Sequence, residues 1–342
     1  MMYGKGGGNV ISLENTINEL VENDTVSRLA VRVGRGDDIL YDTFRGDVHE
    51  TMLFDMASVT KIMATTPLAL IAIDRGLLSV DDSIDKFFEA NKGITIKHLL
   101  THTMGIGHKA LNKSGNTYEN IAEKILEIPL DIPPGTDVRY SCPGFVLLGK
   151  ILEMIFGKPL DQCFEEMVAR PLGLRYTSFL PEAKHLSVNA NFDEEKRGIV
   201  NDYNCRFLGG VAGNAGLFSN LLDVTTFVRF LLKKGSPLIS EDVFRFATQN
   251  HTAGMKESRG LGFLYVDGRY KQTGGLFGDG AVGHCGHTGQ SVFVDYRTGT
   301  YVIILSDATI ATVKKYGKER YAEVMGMRER LHAAIKCDLV HR

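Results

Sequence analysis

The sequence has no C-x-x-C pair and no tight cysteine cluster. Its five cysteines (Cys142, Cys163, Cys205, Cys285 and Cys337) are odd in number and widely spaced. That spacing excludes a disulfide framework and the paired-thiolate zinc templates, and it fits a reducing compartment. Excess charge of one sign is missing too. Thirty-nine Lys and Arg against 41 Asp and Glu leave a net charge of −2. No basic surface is then available for a polyphosphate backbone, which excludes nucleic acid as a partner. No apolar run reads as long enough for the ~18 residues of a membrane span. The opening Met1–Asn9 stretch also lacks the apolar core of a secretory signal. These absences predict a chain with no membrane span, not addressed for export, and cytoplasmic.

What is present is ordinary globular composition, 44% hydrophobic and 23% charged over 342 residues, enough for one large domain or two subdomains. Ile11–Glu22 has helical spacing, with Leu13, Ile17, Leu20 and Val21 on one side. Arg28–Val33 and Ile39–Thr43 read as strands around a Gly34-Arg35-Gly36-Asp37-Asp38 turn. From Ser58 the pattern is helical to Leu78, and Pro67 should bend that helix or mark a change of partner. Between Val80 and Asn250 strand signals thin out. Amphipathic helices take over at Lys97–His102, Tyr118–Ile128, Gly144–Phe156, Leu160–Ala169 and Val224–Lys234. Strands return at Gly260–Val266, His284–Tyr296 and Thr300–Ser306. A closing helix, Glu319–Lys336, offers Tyr321, Val324, Met325, Met327, Leu331 and Ala334 for burial. Strands at both ends with helices between predict an α+β fold: one antiparallel sheet built from both termini, helices on its faces, and an inserted helical subdomain. The sheet-bearing part is expected to comprise 10–66 and 255–342, the helical part 67–254, with an active site between them.

Three segments carry chemistry. In Ser58-Val59-Thr60-Lys61 the i, i+3 spacing at a helix start puts hydroxyl and amine one turn apart on one face. A serine is a poor nucleophile until a base takes its proton. The helix N-terminus favours negative charge developing there, and burial of Lys61 would lower its pKa toward that of a usable base. A capping serine followed by a solvated lysine is the alternative. Tyr140 follows the rigid Pro134-Gly135 turn and precedes an apolar helix; a phenol beside a cation can serve as base or proton shuttle, and a core tyrosine with its hydroxyl on a carbonyl is the alternative. Gly286-His287-Thr288-Gly289-Gln290 lies on an expected strand, whose edge can donate a backbone N–H to an oxyanion while Thr288 binds a substrate carboxylate.

In this order S-V-T-K, Y-S-C and H-T-G resemble the serine β-lactamase/penicillin-binding-protein superfamily, specifically its class C β-lactamase and esterase branch. GLLSVDDSIDKFF, ITIKHLLTHTMGI and GGVAGNAGLFSN are similar to that family's flanking segments. The resemblance implies the β-lactamase/transpeptidase-like fold and an acyl-enzyme mechanism without cofactor or metal. It implies Ser58 as the acylated nucleophile, with Lys61 and Tyr140 as the proton-transfer pair; which of the two is the base stays open. The backbone N–H groups of Ser58 and Gln290 would form the oxyanion hole, and His287, Thr288, Gly289 and Cys142 would line the substrate. Substrates would be small esters, β-lactams or muropeptides. Cys142 stands where asparagine is usual and His287 where lysine is, which favours ester hydrolysis over β-lactam turnover. A non-turnover penicillin-binding sensor is the alternative from another class. Gly198-Ile199-Val200-Asn201-Asp202 with GGVAGNAGLFS resembles Bacillus-type N-acetylmuramoyl-L-alanine amidases, with Asn201 and Asn214 in place of two histidines. His98-Leu99-Leu100-Thr101-His102 lacks the glutamate of H-E-x-x-H, so no metal is expected there or at His284-Cys285-Gly286-His287.

Overall fold

The computed structural model describes residues 12–183, 187–188, 197–308 and 318–340, with 318–325 and 340 by backbone alone. The expected closing-helix residues Tyr321, Val324 and Met325 therefore lie outside the described side chains. Two strands from the start of the chain, β1 (Leu29–Arg35) and β2 (Asp38–Arg45), sit in the sheet whose other strands come late. With β3 (Leu53–Asp55), β4 (Ser178–Phe179), β5 (Ser187–Val188) and β6 (Leu217–Ser219) assigned elsewhere, those late strands are β7 (Leu264–Tyr265), β8 (Val282–Cys285), β9 (Ser291–Asp295) and β10 (Thr300–Ser306). The sheet runs β2-β1-β10-β9-β8-β7 and every pairing in it is antiparallel. β1 lies along β10 from Leu29↔Ser306 to Arg35↔Thr300, so the two ends of the chain close one sheet.

Side-chain alternation assigns the faces. Along β10, Tyr301, Ile303 and Leu305 belong to one apolar cluster, and Val302 and Ile304 to another. Both faces are covered, which is why this strand reads as an unbroken apolar run. On one side Leu13, Ile17 and Leu20 of the first helix (Leu13–Glu22) pack with Met327, Leu331 and Ala334 of the last (Lys318–Ile335). On the other side the cluster reaches from Ala30 and Tyr301 through the helix Leu221–Leu232 to Leu148 and Phe164 among the middle helices.

Several expectations need correction. Within the mainly helical middle of the chain the short strands β4, β5 and β6 join β3 in a small second sheet, with β3 and β5 parallel. Strands of two or three residues are too short to carry a readable period. The stretch His284–Tyr296 is two strands and a turn. Gly260–Val266 contracts to Leu264–Tyr265 because the chain bends at Gly262, which has φ +82°. Near Pro67 the helical run changes its hydrogen-bond pattern. Lys61–Thr65 is a π-turn and Thr66–Asp74 the α-helix after it, which puts Pro67 in a first turn, where its missing N–H is tolerated. Finally, Ala57–Asp74 is, among the described residues, long and apolar enough to cross a membrane, at a mean hydropathy of 1.2, contrary to the reading that no run is; 83% of it is buried inside the protein as a core helix.

Candidate active site

β3 ends at Asp55, and the chain then turns sharply. Ala57 adopts φ +45°, a region costly for a residue with a Cβ. What holds it is the buried Asp55 carboxylate, which accepts from Ala57 N at 2.8 Å and from Asn201 N at 2.5 Å. Burial raises the Asp55 pKa to about 6, with those two N–H donors opposing the rise. Ser58 leaves this elbow half-exposed at the head of a single 3-10 turn. Lys61, one turn on, is completely buried.

The expected trio meets. Lys61 Nζ donates to Ser58 Oγ at 3.0 Å and to the Asn214 carbonyl at 2.8 Å. The Tyr140 hydroxyl donates to Ser58 Oγ at 2.7 Å, and Lys61 Nζ lies 5.1 Å from the centre of the Tyr140 ring. Tyr140 is fixed by its neighbours in sequence. Arg139 N donates to the His102 carbonyl at 2.8 Å, and Ser141 N to His102 Nδ1 at 3.0 Å. Ser141 Oγ then caps the helix Cys142–Phe156 by accepting from Gly144 N at 3.1 Å.

Burial pushes the Tyr140 phenol up, and the Lys61 ammonium offsets this in part. For Lys61 burial is the largest influence and works downward, as the sequence implies, but negative charge on Cys142 and Tyr140, once they ionise, favours the ammonium and the net displacement is upward. The expectation of a lowered Lys61 is therefore corrected. At neutral pH the resting site holds an ammonium and a neutral phenol. Removing one proton from the pair leaves a base in contact with the Ser58 hydroxyl, the arrangement that serine activation needs.

Gly286–Gln290 is a turn between β8 and β9, not a strand. Gly286 N donates to the Gln290 carbonyl at 2.8 Å and Gly289 N to the Gly286 carbonyl at 3.0 Å. A Cβ on Gly286 would lie 2.7 Å from the Met56 carbonyl, so the turn packs directly on the Ser58 elbow. Arg328, from the C-terminal helix, grips both ends of the turn. Its Nε donates to the Gln290 carbonyl at 3.1 Å and its Nη2 to that of Gly286, while Nη1 reaches Gln272 Oε1 at 2.9 Å.

The residues expected to line the substrate separate. His287 is exposed on the turn. Thr288 is buried and its hydroxyl faces the Asp55 carbonyl at 3.1 Å and the Gln290 side-chain oxygen, so it is committed to the scaffold and not free for a carboxylate. Gly289 faces inward as well, its Cβ direction meeting Ser306 Oγ at 2.0 Å. Cys142 is buried with its thiol 3.9 Å from Lys61 Nζ, and burial pushes that thiol up. Asp55 and Arg328 escaped the sequence reading, and Asn214 was singled out there without its contact to Lys61. Asn214 sits inside the quoted GGVAGNAGLFS segment and Asp55 three residues before Ser58; Arg328, on a charged helix stretch, gives no signal. His98 is used locally, accepting from Thr95 N at 3.1 Å, and among the described residues no group of His, Cys, Asp or Glu is arranged to hold a metal.

Comparison with known proteins follows the same lines. The Beta-lactamase family matches residues 13–324. A "Putative D-alanyl-D-alanine carboxypeptidase" of Escherichia coli strain K12 is 30% identical over 304 residues, 75% of this chain and 69% of the relative. The N-acetylmuramyl-L-alanine amidase of Bacillus subtilis strain 168 is 30% identical over 223 residues, 54% of this chain and 51% of its own length. Among solved structures EstCE1, a hydrolase with promiscuous acyltransferase activity, aligns at a TM-score of 0.74 and 20% identity, covering 94% of this chain and 97% of that one. At such identity the likeness speaks for the fold.

Proposed function

The chain belongs to the Beta-lactamase family of serine hydrolases, and on that premise we propose that it cleaves a small ester or amide through an acyl-enzyme on Ser58. The observation that carries this is the single hydroxyl with a phenol at 2.7 Å and an amine at 3.0 Å. The Lys61–Tyr140 pair, after losing one proton, takes the Ser58 proton as Oγ bonds to the substrate carbonyl carbon. The N–H groups of Ser58 and Gln290 receive the oxyanion; the turn's internal bonds use Gly286 N and Gly289 N, and among the described residues none uses Gln290 N. The pair returns the proton to the leaving group, and water, deprotonated the same way, releases the acid. Because the reactive state has one proton fewer than the resting state, kcat/KM rises with pH.

Esters are favoured over β-lactams. Cys142 offers Lys61 a neutral thiol where an asparagine would offer an amide to the substrate. A muropeptide is the second reading, supported by the amidase and carboxypeptidase relatives. The two histidines of the amidase-like segment are replaced here by residues with backbone duties, Asn201 N on Asp55 and the Asn214 carbonyl on Lys61.

Mass spectrometry after incubation with p-nitrophenyl esters, a cephalosporin and a muropeptide tests the proposal. The expected result is an adduct on Ser58 and multiple turnovers with the ester, both lost in Ser58→Ala while the circular dichroism spectrum is kept. A stoichiometric burst without later turnover would favour the sensor reading. Activity that survives Ser58→Ala would end the mechanism.

A further inference from the structure

Lys61 is not the only cation at the phenol. The guanidinium carbon of Arg259 lies 5.6 Å from the centre of the Tyr140 ring, against 5.1 Å for Lys61 Nζ. Arg259 is 3% exposed, and its Nε and Nη1 have no hydrogen-bond partner among the described residues. Its Nη2 pairs with Glu257 at 2.8 Å, and that carboxylate is 31% exposed, so water screens it more than it screens the guanidinium. An arginine stays charged at any working pH. A buried permanent charge with two of its three nitrogens lacking a partner, facing an ionisable ring, is costly to keep for packing alone.

The other groups around Tyr140 leave Arg259 without a rival. His102 and His284 have ring centres 4.5 and 6.2 Å from that of Tyr140. Their tautomers follow from their bonds. His102 Nδ1 accepts from Ser141 N, so its proton is on Nε2; His284 Nδ1 faces the Cys285 carbonyl at 2.8 Å and must carry the proton there. Burial, and then Arg259 and Lys61, hold both rings well below the ordinary histidine range, so both are neutral. From the Cys142–Phe156 helix comes the neutral Cys142 thiol, from the turn the exposed His287, and from the C-terminal helix Arg328, which acts on His284. Asp202, which accepts from Asn214 Nδ2 at 3.0 Å, supplies the opposing negative charge and acts on Lys61.

We infer that Arg259 is a positioning residue of the reaction: a fixed second cation that acts through the Tyr140 ring to favour the proton-poor, reactive form of the Lys61–Tyr140 pair, with Glu257 setting its strength. The inference rests on the proposed proton-transfer role of that pair. A full charge about 6 Å from the ring over which the phenolate charge is spread, in a medium of effective dielectric ~20, favours an ionised phenol by at most roughly 100-fold, and partial neutralisation by Glu257 leaves about tenfold.

The test is the pH profile, from pH 6 to 10, of two rates: Ser58 labelling by a fluorophosphonate and kcat/KM for p-nitrophenyl butyrate. In Arg259→Gln the rising limb moves to higher pH, so the rate at any pH on that limb falls about tenfold. Arg259→Lys, which keeps the charge, lies between this variant and the wild type. In Glu257→Gln the limb moves the other way, to lower pH. Opposite displacements from the two halves of one ion pair are not what loss of packing produces. Limbs that coincide with the wild type in both variants would overturn the inference. Should Arg259→Gln fail to fold, Glu257→Gln decides alone, and a limb unmoved or shifted to higher pH counts against it. If the wild type is not labelled, or labelling survives Ser58→Ala, the underlying hydrolase reading fails instead.

Discussion

Asp55 does its work before any substrate arrives. Its carboxylate holds Ala57 at a positive φ, and so aims Ser58, at the cost of burying a charge. With the folded pKa raised to about 6 from 3.8, the native state binds a proton more tightly than the unfolded chain. Stability from this group is therefore lost as pH rises from about 4 to about 6, amounting to about 3 kcal/mol above that window. Asp55→Asn should remove that dependence. The difference in unfolding free energy between variant and wild type, measured in urea at pH 4 and pH 7, should shift in the variant's favour by about 2–3 kcal/mol across that interval. An equal slope in both proteins would mean that the carboxylate is not the titrating group. Tyr140→Phe tests the reaction itself: the phenyl ring fills the same space, and loss of the hydroxyl at 2.7 Å from Ser58 Oγ should lower kcat by about 10²–10⁴-fold. A fall of less than about threefold would leave Lys61 as sole base.

At the scale of elements, the turn Gly286–Gln290 joins the sheet to the elbow, and two glycines make that contact. Gly289 combines φ +112° with a Cβ direction that ends 2.0 Å from Ser306 Oγ, so Gly289→Ala meets backbone strain and a clash together. It should cost about 2–4 kcal/mol in denaturant unfolding. At Gly286 the nearest obstacle is the Met56 carbonyl, beside Ser58. Gly286→Ala should therefore lower turnover more than its stability loss explains, read as kcat against urea midpoint for the two variants. Proportional losses in both would remove the turn from the site. This element also marks the limit of the sequence reading. The segments around Ser58 and Tyr140 were legible because each places its side chain by local geometry, a one-turn spacing or a turn before a helix. The Gly286–Gln290 turn was hidden because Val282–Cys285 and Ser291–Asp295 flank it with buried residues and its own Thr288 and Gln290 are buried too, so burial continues through the bend. The same reason conceals Thr288, which reads as a free hydroxyl and is engaged only through contacts with Asp55, more than two hundred positions earlier in the chain.

Across the whole molecule, the closure of the sheet from both chain ends couples stability to the site in one direction more than the other. The N-terminal and C-terminal helices cover one face, and the second of them carries Arg328 to the carbonyls of Gly286 and Gln290. The helix Leu221–Leu232 covers the opposite face and sends no side chain hydrogen bond to the turn among the described residues. That outcome was partly legible, since terminal strands and an apolar stripe with Leu331 predicted a helix against the sheet. The arginine's part was not, because a cation in a stretch as charged as Met327-Arg328-Glu329-Arg330 reads as solvated. Two matched substitutions separate the faces. Leu331→Ala and Leu231→Ala each empty a fully buried leucine site and should each cost about 2–5 kcal/mol. Only the first loosens the helix that grips the turn. Under conditions where both variants remain more than nine-tenths folded, Leu331→Ala should reduce kcat for p-nitrophenyl butyrate several-fold and Leu231→Ala should not; equal losses in the two, at equal urea midpoints, would show that the site feels only global stability and that the grip of Arg328 on the turn is incidental.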